Sequence, residues 1–191
     1  RYDEAEVFDN AKVIDDAIGQ DFAKVFDNAT VSGYAKVFNH SIIRGSAVVK
    51  DHAFIVTNAY ISGGAEISYN AEVSDDAEVY GNVKVTDKAF VGGSTRLSGN
   101  LIIGGNIDLR ILDSIYSDEV RELKRDTDIE VFKNNWSSGR YFFYLVPYNE
   151  WQVGCFTGTG QELIEKAYAD GEEVGKYYEK YVRFVEDSLL E

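Results

Sequence analysis

The chain has 191 residues, with 33 acidic against 19 basic side chains and a formal net charge of −14. No apolar run approaches the roughly 18 residues that a membrane helix needs, the single Cys155 excludes an internal disulfide, and a composition 45% hydrophobic and 14% aromatic excludes wholesale disorder. The acidity argues against direct nucleic-acid binding, which needs a basic stripe to displace counterions, and points to neutral or basic partners. No signal peptide is visible ahead of the first repeats, so the cytoplasm is the default expectation.

The chain up to Arg110 is governed by alanine. Of the 15 alanines, 13 lie between Ala5 and Ala89 in one phase of a six-residue period, with Ser41 and Val83 filling the gaps. Two residues after each comes a branched aliphatic, from Val7, Val13 and Val25 through to Val85 and Val91, with Gly19 as the exception. Thr95, Leu97, Leu101, Ile103, Ile107 and Leu109 then hold the phase with larger residues, which makes 18 hexads ending near Arg110. Repetition at a fixed short period marks a solenoid, whose units bury their faces only against one another.

The hexad's chemistry selects the solenoid type. Ala and Val two residues apart share one face of a short strand. The last two positions are turn formers, such as Asp9-Asn10, Asp27-Asn28 and Gly63-Gly64, which accept a left-handed backbone. A strand and a corner every six residues give a triangular prism that closes after three hexads. Eighteen hexads then make about six coils, stacked to roughly 29 Å at the inter-strand spacing of parallel sheets.

With Ala at one position and Val7, Val13 and Val25 two residues on, residues 5–110 resemble the hexapeptide-repeat proteins that fold as left-handed parallel β-helices. The resemblance implies a fold class of left-handed β-helix. It admits several activities, since that family includes acyltransferases, nucleotide-sugar transferases, carbonic anhydrases and non-catalytic scaffolds. The acyltransferases are commonly trimers and use a catalytic His beside a loop that breaks the coil. On that alternative His40 or His52 is the general base, acetyl-CoA is the cofactor and the active site lies between subunits. The hexads here run without such a loop. The two histidines fall at different corners, so no metal site is expected from them; the plainer expectation is that each is a solvated turn residue.

Sorting the outward positions by every third hexad assigns them to three faces. The first carries Phe8, Phe26, Ile42, Tyr60 and Tyr80, and the third carries Ile18, Phe38, Phe54, Val56 and Phe90. The second is mostly polar, with Lys12, Thr30, Lys50, Glu66 and Lys84 among its members. Apolar stripes of that extent call for a cover, so a homo-oligomer, dimer or trimer, is expected.

After Arg110 the period ends, and residues 111–191 read as an α+β capping or interaction unit. Ser117 to Arg125 carries the signal of a short capped helix. Three strand-like runs follow, Asp128 to Lys133, Arg140 to Val146 and Trp151 to Phe156, the last two joined through Pro147-Tyr148-Asn149-Glu150. From Gln161 the pattern is helical, with Leu163, Ile164 and Ala167 in one stripe and Val174, Tyr177, Tyr178, Tyr181, Val182 and Val185 in another beyond Asp170-Gly171. Cys155 has apolar flanks and is expected to be a buried thiol. Thr157-Gly158-Thr159-Gly160 lacks the Lys of a phosphate loop and reads as a turn with a helix cap.

The run Gly154-Cys155-Phe156 with Gly158-Thr159 and a following helix is similar to the tails of small uncharacterised phage and mobile-element proteins. That similarity implies an inhibitor whose acidic surface mimics nucleic acid and occupies a basic groove. The sequence therefore favours a non-catalytic interaction protein over an acyltransferase-like enzyme. Its expected partner-binding groups are the aromatic stripes and, in the last helix, Glu172, Glu173 and Glu179.

Overall fold

The computed structural model describes residues 4–111, 114–136 and 138–189. They fall into two compact units, residues 1–126 and 127–191.

The first unit is a β-solenoid of about six turns built from parallel strands. Strands β1 (Glu6–Val7), β2 (Lys12–Val13) and β3 (Ile18–Gly19) form its first coil. Two-residue strands β4 to β14 follow at six-residue intervals, from Lys24–Val25 to Lys84–Val85, and β15 (Phe90–Gly93), β16 (Arg96–Ile103), β17 (Asp108–Ile111) and β18 (Ser114–Leu123) are longer. Glu6 pairs with Lys24, Lys12 with Thr30 and Ile18 with Lys36, so each coil takes three hexads. The three columns begun by β1, β2 and β3 are the three faces expected from the sequence. The long β16 turns a corner without a break and joins the first column to the second.

The corners explain the hexad. Every sixth residue from Asp9 to Gly105 has a positive φ, between 56° and 79°. Gly takes that conformation at no steric cost and Asp or Asn at a small one, which is why these types dominate there. Asp adds a second service. The carboxylates of Asp15, Asp21, Asp27, Asp51, Asp75 and Asp87 each accept the backbone N–H of the corner residue one coil on, at 2.8–3.2 Å. Beside them, the Asn10 side chain donates to Asn28 (3.2 Å) and Asn82 to Asn100 (3.0 Å).

Inside, the alanines from Ala29 to Ala89 and the branched residues from Val31 to Val91 have no exposed surface. Where a hydroxyl takes the alanine's place it is satisfied locally. Ser41 donates to the Phe38 carbonyl (2.8 Å) and Thr95 to the Gly92 carbonyl (2.7 Å), so neither buries an unpaired polar group.

Two sequence expectations change here. The ladder does not stop with the alanine period at Arg110, because β18 pairs with β16 from Ser114 to Leu123 across a register shift between Gly99 and Leu101. The helix expected over Ser117 to Arg125 is therefore absent. The long β16 edge offers backbone partners that outweigh a local capping signal, and Ile115 and Leu123 are buried on it.

The second unit is α+β. Strands β19 (Ile129–Lys133), β20 (Tyr141–Leu145), β21 (Glu150–Val153) and β22 (Phe156–Gly158) form an antiparallel sheet in chain order, followed by helices α1 (Gly160–Asp170) and α2 (Glu172–Leu189). The run read as one strand from Trp151 to Phe156 is two, folded back at Gly154-Cys155 with Val153 opposite Phe156. Gly154, at φ 59°, permits the tight turn. The core joins Phe142, Tyr144 and Trp151 of the sheet to Leu163, Ala167, Tyr178, Val182 and Val185 of the helices.

Candidate interaction surfaces

On the first face the register of three hexads per coil stacks like positions directly over one another. Phe8 lies on Phe26 with ring centroids 4.8 Å apart and planes within 5°, and the Arg44 guanidinium sits 5.1 Å from the Phe26 centroid. Arg44 also reaches Asp27 at 3.3 Å, so the cation is held over the ring by the corner carboxylate. Of the expected contact residues on this face, Phe8 and Tyr80 are exposed (42% and 37%), while Phe26 and Tyr60 are half-buried by their neighbours in the column.

The third face brings Phe38 edge-on to Phe54, with centroids 5.6 Å apart, and sets Arg110 over Phe90 at 4.1 Å. Phe38, Phe54 and Phe90 are all half-buried. Glu72 lies in register between Phe54 and Phe90, and burial among these rings pushes its carboxyl upward against the opposing pull of Arg110.

The second face is a charge ladder. Glu66 takes Lys50 at 2.6 Å on one side and Lys84 at 3.7 Å on the other. The Lys50 hydrogen bond holds the Glu66 carboxyl below its ordinary range despite partial burial, and the same contact raises Lys50.

The histidines occupy corners, as the hexad phase requires. His40 is exposed and stacks on Phe22 (4.9 Å, 12°), and His52 is exposed and stacks on Tyr34 (5.0 Å, 18°). They stand at different corners, His40 after β6 (Lys36–Val37) on the third face and His52 after β8 (Val48–Val49) on the second. No cluster of three metal-ligating side chains occurs among the described residues. Sequence reasoning alone does not single out Phe22 and Tyr34, yet each lies one full coil before its histidine, and that spacing is the available signal.

In the second unit the acidic candidates lie on α2. Glu172 pairs with Lys176 at 2.6 Å; Glu179 accepts the Tyr168 hydroxyl at 2.7 Å and meets Arg183 at 3.6 Å; Glu173 is exposed. The turn ahead of α1 is closed by its own residues. The Thr159 hydroxyl accepts the Glu162 N–H (3.3 Å), and the Thr159 N–H donates to the Glu162 carboxylate (2.8 Å), a reciprocal cap that occupies amides an anion would need. Cys155 is exposed, contrary to the buried thiol expected, because it occupies the outer position of the β21–β22 turn, where no core faces it.

Set against known proteins, the chain matches no family model, no curated protein and no solved structure. No helix among the described residues is long and apolar enough to cross a membrane.

Proposed function

We propose that the chain is a hexapeptide-repeat, left-handed β-helix protein that works as a non-catalytic interaction module. It self-associates over its apolar outward surface and binds a protein with a basic surface, in the manner of a phage or mobile-element inhibitor that imitates nucleic acid. The observation that carries this reading is the unbroken run of corners from Asp9 to Gly105. With no looped-out segment in that run, the outward side chains stand in fixed, flat columns suited to recognition by surface, whereas catalysis on a small molecule favours an enclosed pocket with converging polar groups.

The charge favours a basic partner, and its distribution narrows where that partner docks. Residues 1–126 hold 21 acidic and 13 basic side chains, and residues 127–191 hold 12 and 6. In the solenoid many of the acids are committed to corner amides, so the acidity that remains for a partner is densest in the second unit.

Capture of a partner by the immobilised chain from cells that carry it tests the reading. The bound protein is expected to have a basic groove, to be displaced by duplex DNA and by salt, and to bind less well to the triple variant Glu172→Gln, Glu173→Gln, Glu179→Gln. Binding indifferent to salt and to all three substitutions would sink the mimicry. A clear thermal shift of the chain with acetyl-CoA would favour the acyltransferase alternative instead.

A further inference from the structure

The third face sets two opposite charges on one column of apolar side chains. Its first outward column runs Ile18, Lys36, Phe54, Glu72, Phe90 and Asp108, each in register with the residue one coil on. Its second column, two residues along, runs Gln20, Phe38, Val56, Ser74, Gly92 and Arg110. Asp108 and Arg110 bond to each other at 2.8 Å. Lys36 is exposed and Glu72 half-buried, and neither side chain has a hydrogen-bond or ion-pair partner among the described residues. Phe54 lies between them, one coil from each. A carboxylate set between the rings of Phe54 and Phe90 gives up hydration with no cation in contact, a cost that an opposing ammonium offsets.

The order of the column lets a second copy supply that ammonium. Two such faces that meet about a two-fold axis lying along the strands keep strand direction and reverse the order of coils, so first-column residues meet first-column residues. With the axis at Phe54, Phe54 meets Phe54, Val56 meets Val56, Ile18 meets Phe90, and Lys36 of each copy meets Glu72 of the other. Moving the axis half a coil either way sets Lys36 against Phe54 or Phe90. A full coil either way sets Lys36 against Lys36 or Glu72 against Glu72. An axis along the stack instead keeps coil order and sets Lys36 against Phe38 and Glu72 against Ser74. Of these arrangements only the first gives Lys36 and Glu72 each an opposite charge while closing the apolar side chains on one another.

We propose that the third face is a homodimer interface, in which two copies pack with their coil stacks antiparallel about a two-fold axis through Phe54 and are joined by two Lys36–Glu72 pairs. The inference rests on the self-association in the proposed function and is independent of the basic partner, which the experiment omits. Five coils span roughly 24 Å, a small interface, so sedimentation of the purified full chain is followed from about 1 to 200 µM, where a dimer is expected. Lys36→Glu sets acid against acid at both pairs and weakens the dimer by about tenfold or more; Glu72→Lys does the same with cations. An equimolar mixture of the two variants regains the wild-type affinity, because both pairs across a mixed dimer are again of opposite sign. Lys12→Glu, at an exposed position of the second face, makes the same change of charge and leaves the dimer intact. The substituted side chains all point outward, and circular dichroism checks that each variant is folded. A wild type that is monomeric throughout overturns self-association and this interface with it. A dimer indifferent to Lys36→Glu, weakened equally by Lys12→Glu, or not regained in the mixture overturns this interface alone.

Discussion

Thr57 and Tyr69 stand at corner positions where φ is 69° and 56°. Elsewhere in the run these positions are held by Gly, Asp or Asn, whose short side chains tolerate the conformation; a β-branched Thr is the worst suited. Asn39 fills the same corner one coil earlier at φ 59°. Thr57→Asn is therefore expected to raise stability by roughly 0.5–1 kcal/mol, measured as a higher midpoint in urea with an unchanged slope. Glu66 supplies a pH dependence of definite sign. Its folded pKa lies below the ordinary carboxylate value because of Lys50. Its stabilisation is therefore complete above the unfolded pKa and is lost as pH falls through the depressed folded value. Both partners are partly exposed, so the effect is small, on the order of 0.5 kcal/mol. Glu66→Gln should flatten the acid limb of the stability curve by that amount, while Glu78→Gln, whose partner Arg96 is likewise exposed, serves as the comparison.

Among the elements, the short strands are readable from the sequence because each coil buries the same two positions and bends at the same third. Periodicity reports repeated environments, and it falls silent where the environments stop repeating. The residues of β18 read as a helix start because Ser117, Asp118 and Glu119 satisfy the capping rule, and only the free edge of β16 decides otherwise. The exposure of Cys155 is hidden for a similar reason. The run from Trp151 to Phe156 is apolar enough to pass for one strand, and Gly154 is the sole mark of its turn. The partner-binding aromatics are legible as columns, but the cations over Phe26 and Phe90 come from Arg44 and Arg110, a coil or more further along the chain. The cap of α1, by contrast, is legible, and it is testable. Thr159→Ala removes the hydroxyl that accepts the Glu162 N–H and is expected to cost about 1 kcal/mol, read from the urea midpoint of the second unit's aromatic fluorescence.

At the scale of the molecule, a stack in which each coil touches only its neighbours has stability that varies along its axis. Middle coils are paired on both sides and have interiors closed to solvent, whereas among the described residues the coil of β1–β3 is paired on one side and Val7 is exposed. Hydrogen exchange should follow. At low protein concentration, amides near Ile43, Ile61 and Val79 are expected to exchange slowest, and those from Glu6 to Gly19 fastest. Uniform protection across the coils would contradict nearest-neighbour stability.

The coil of three hexads has a consequence for how such a chain can change length. An insertion or deletion of one hexad preserves the alternation of Ala and Val, so the core survives it. It nevertheless advances everything downstream by one face, moving the charge ladder of Glu66 and Lys84 onto a face of aromatics and parting rings from the cations above them. Only steps of three hexads return each outward residue to its column. The interior counts in single hexads and the surface counts in threes, so duplication or loss of a whole coil is the one length change that leaves a recognition surface intact.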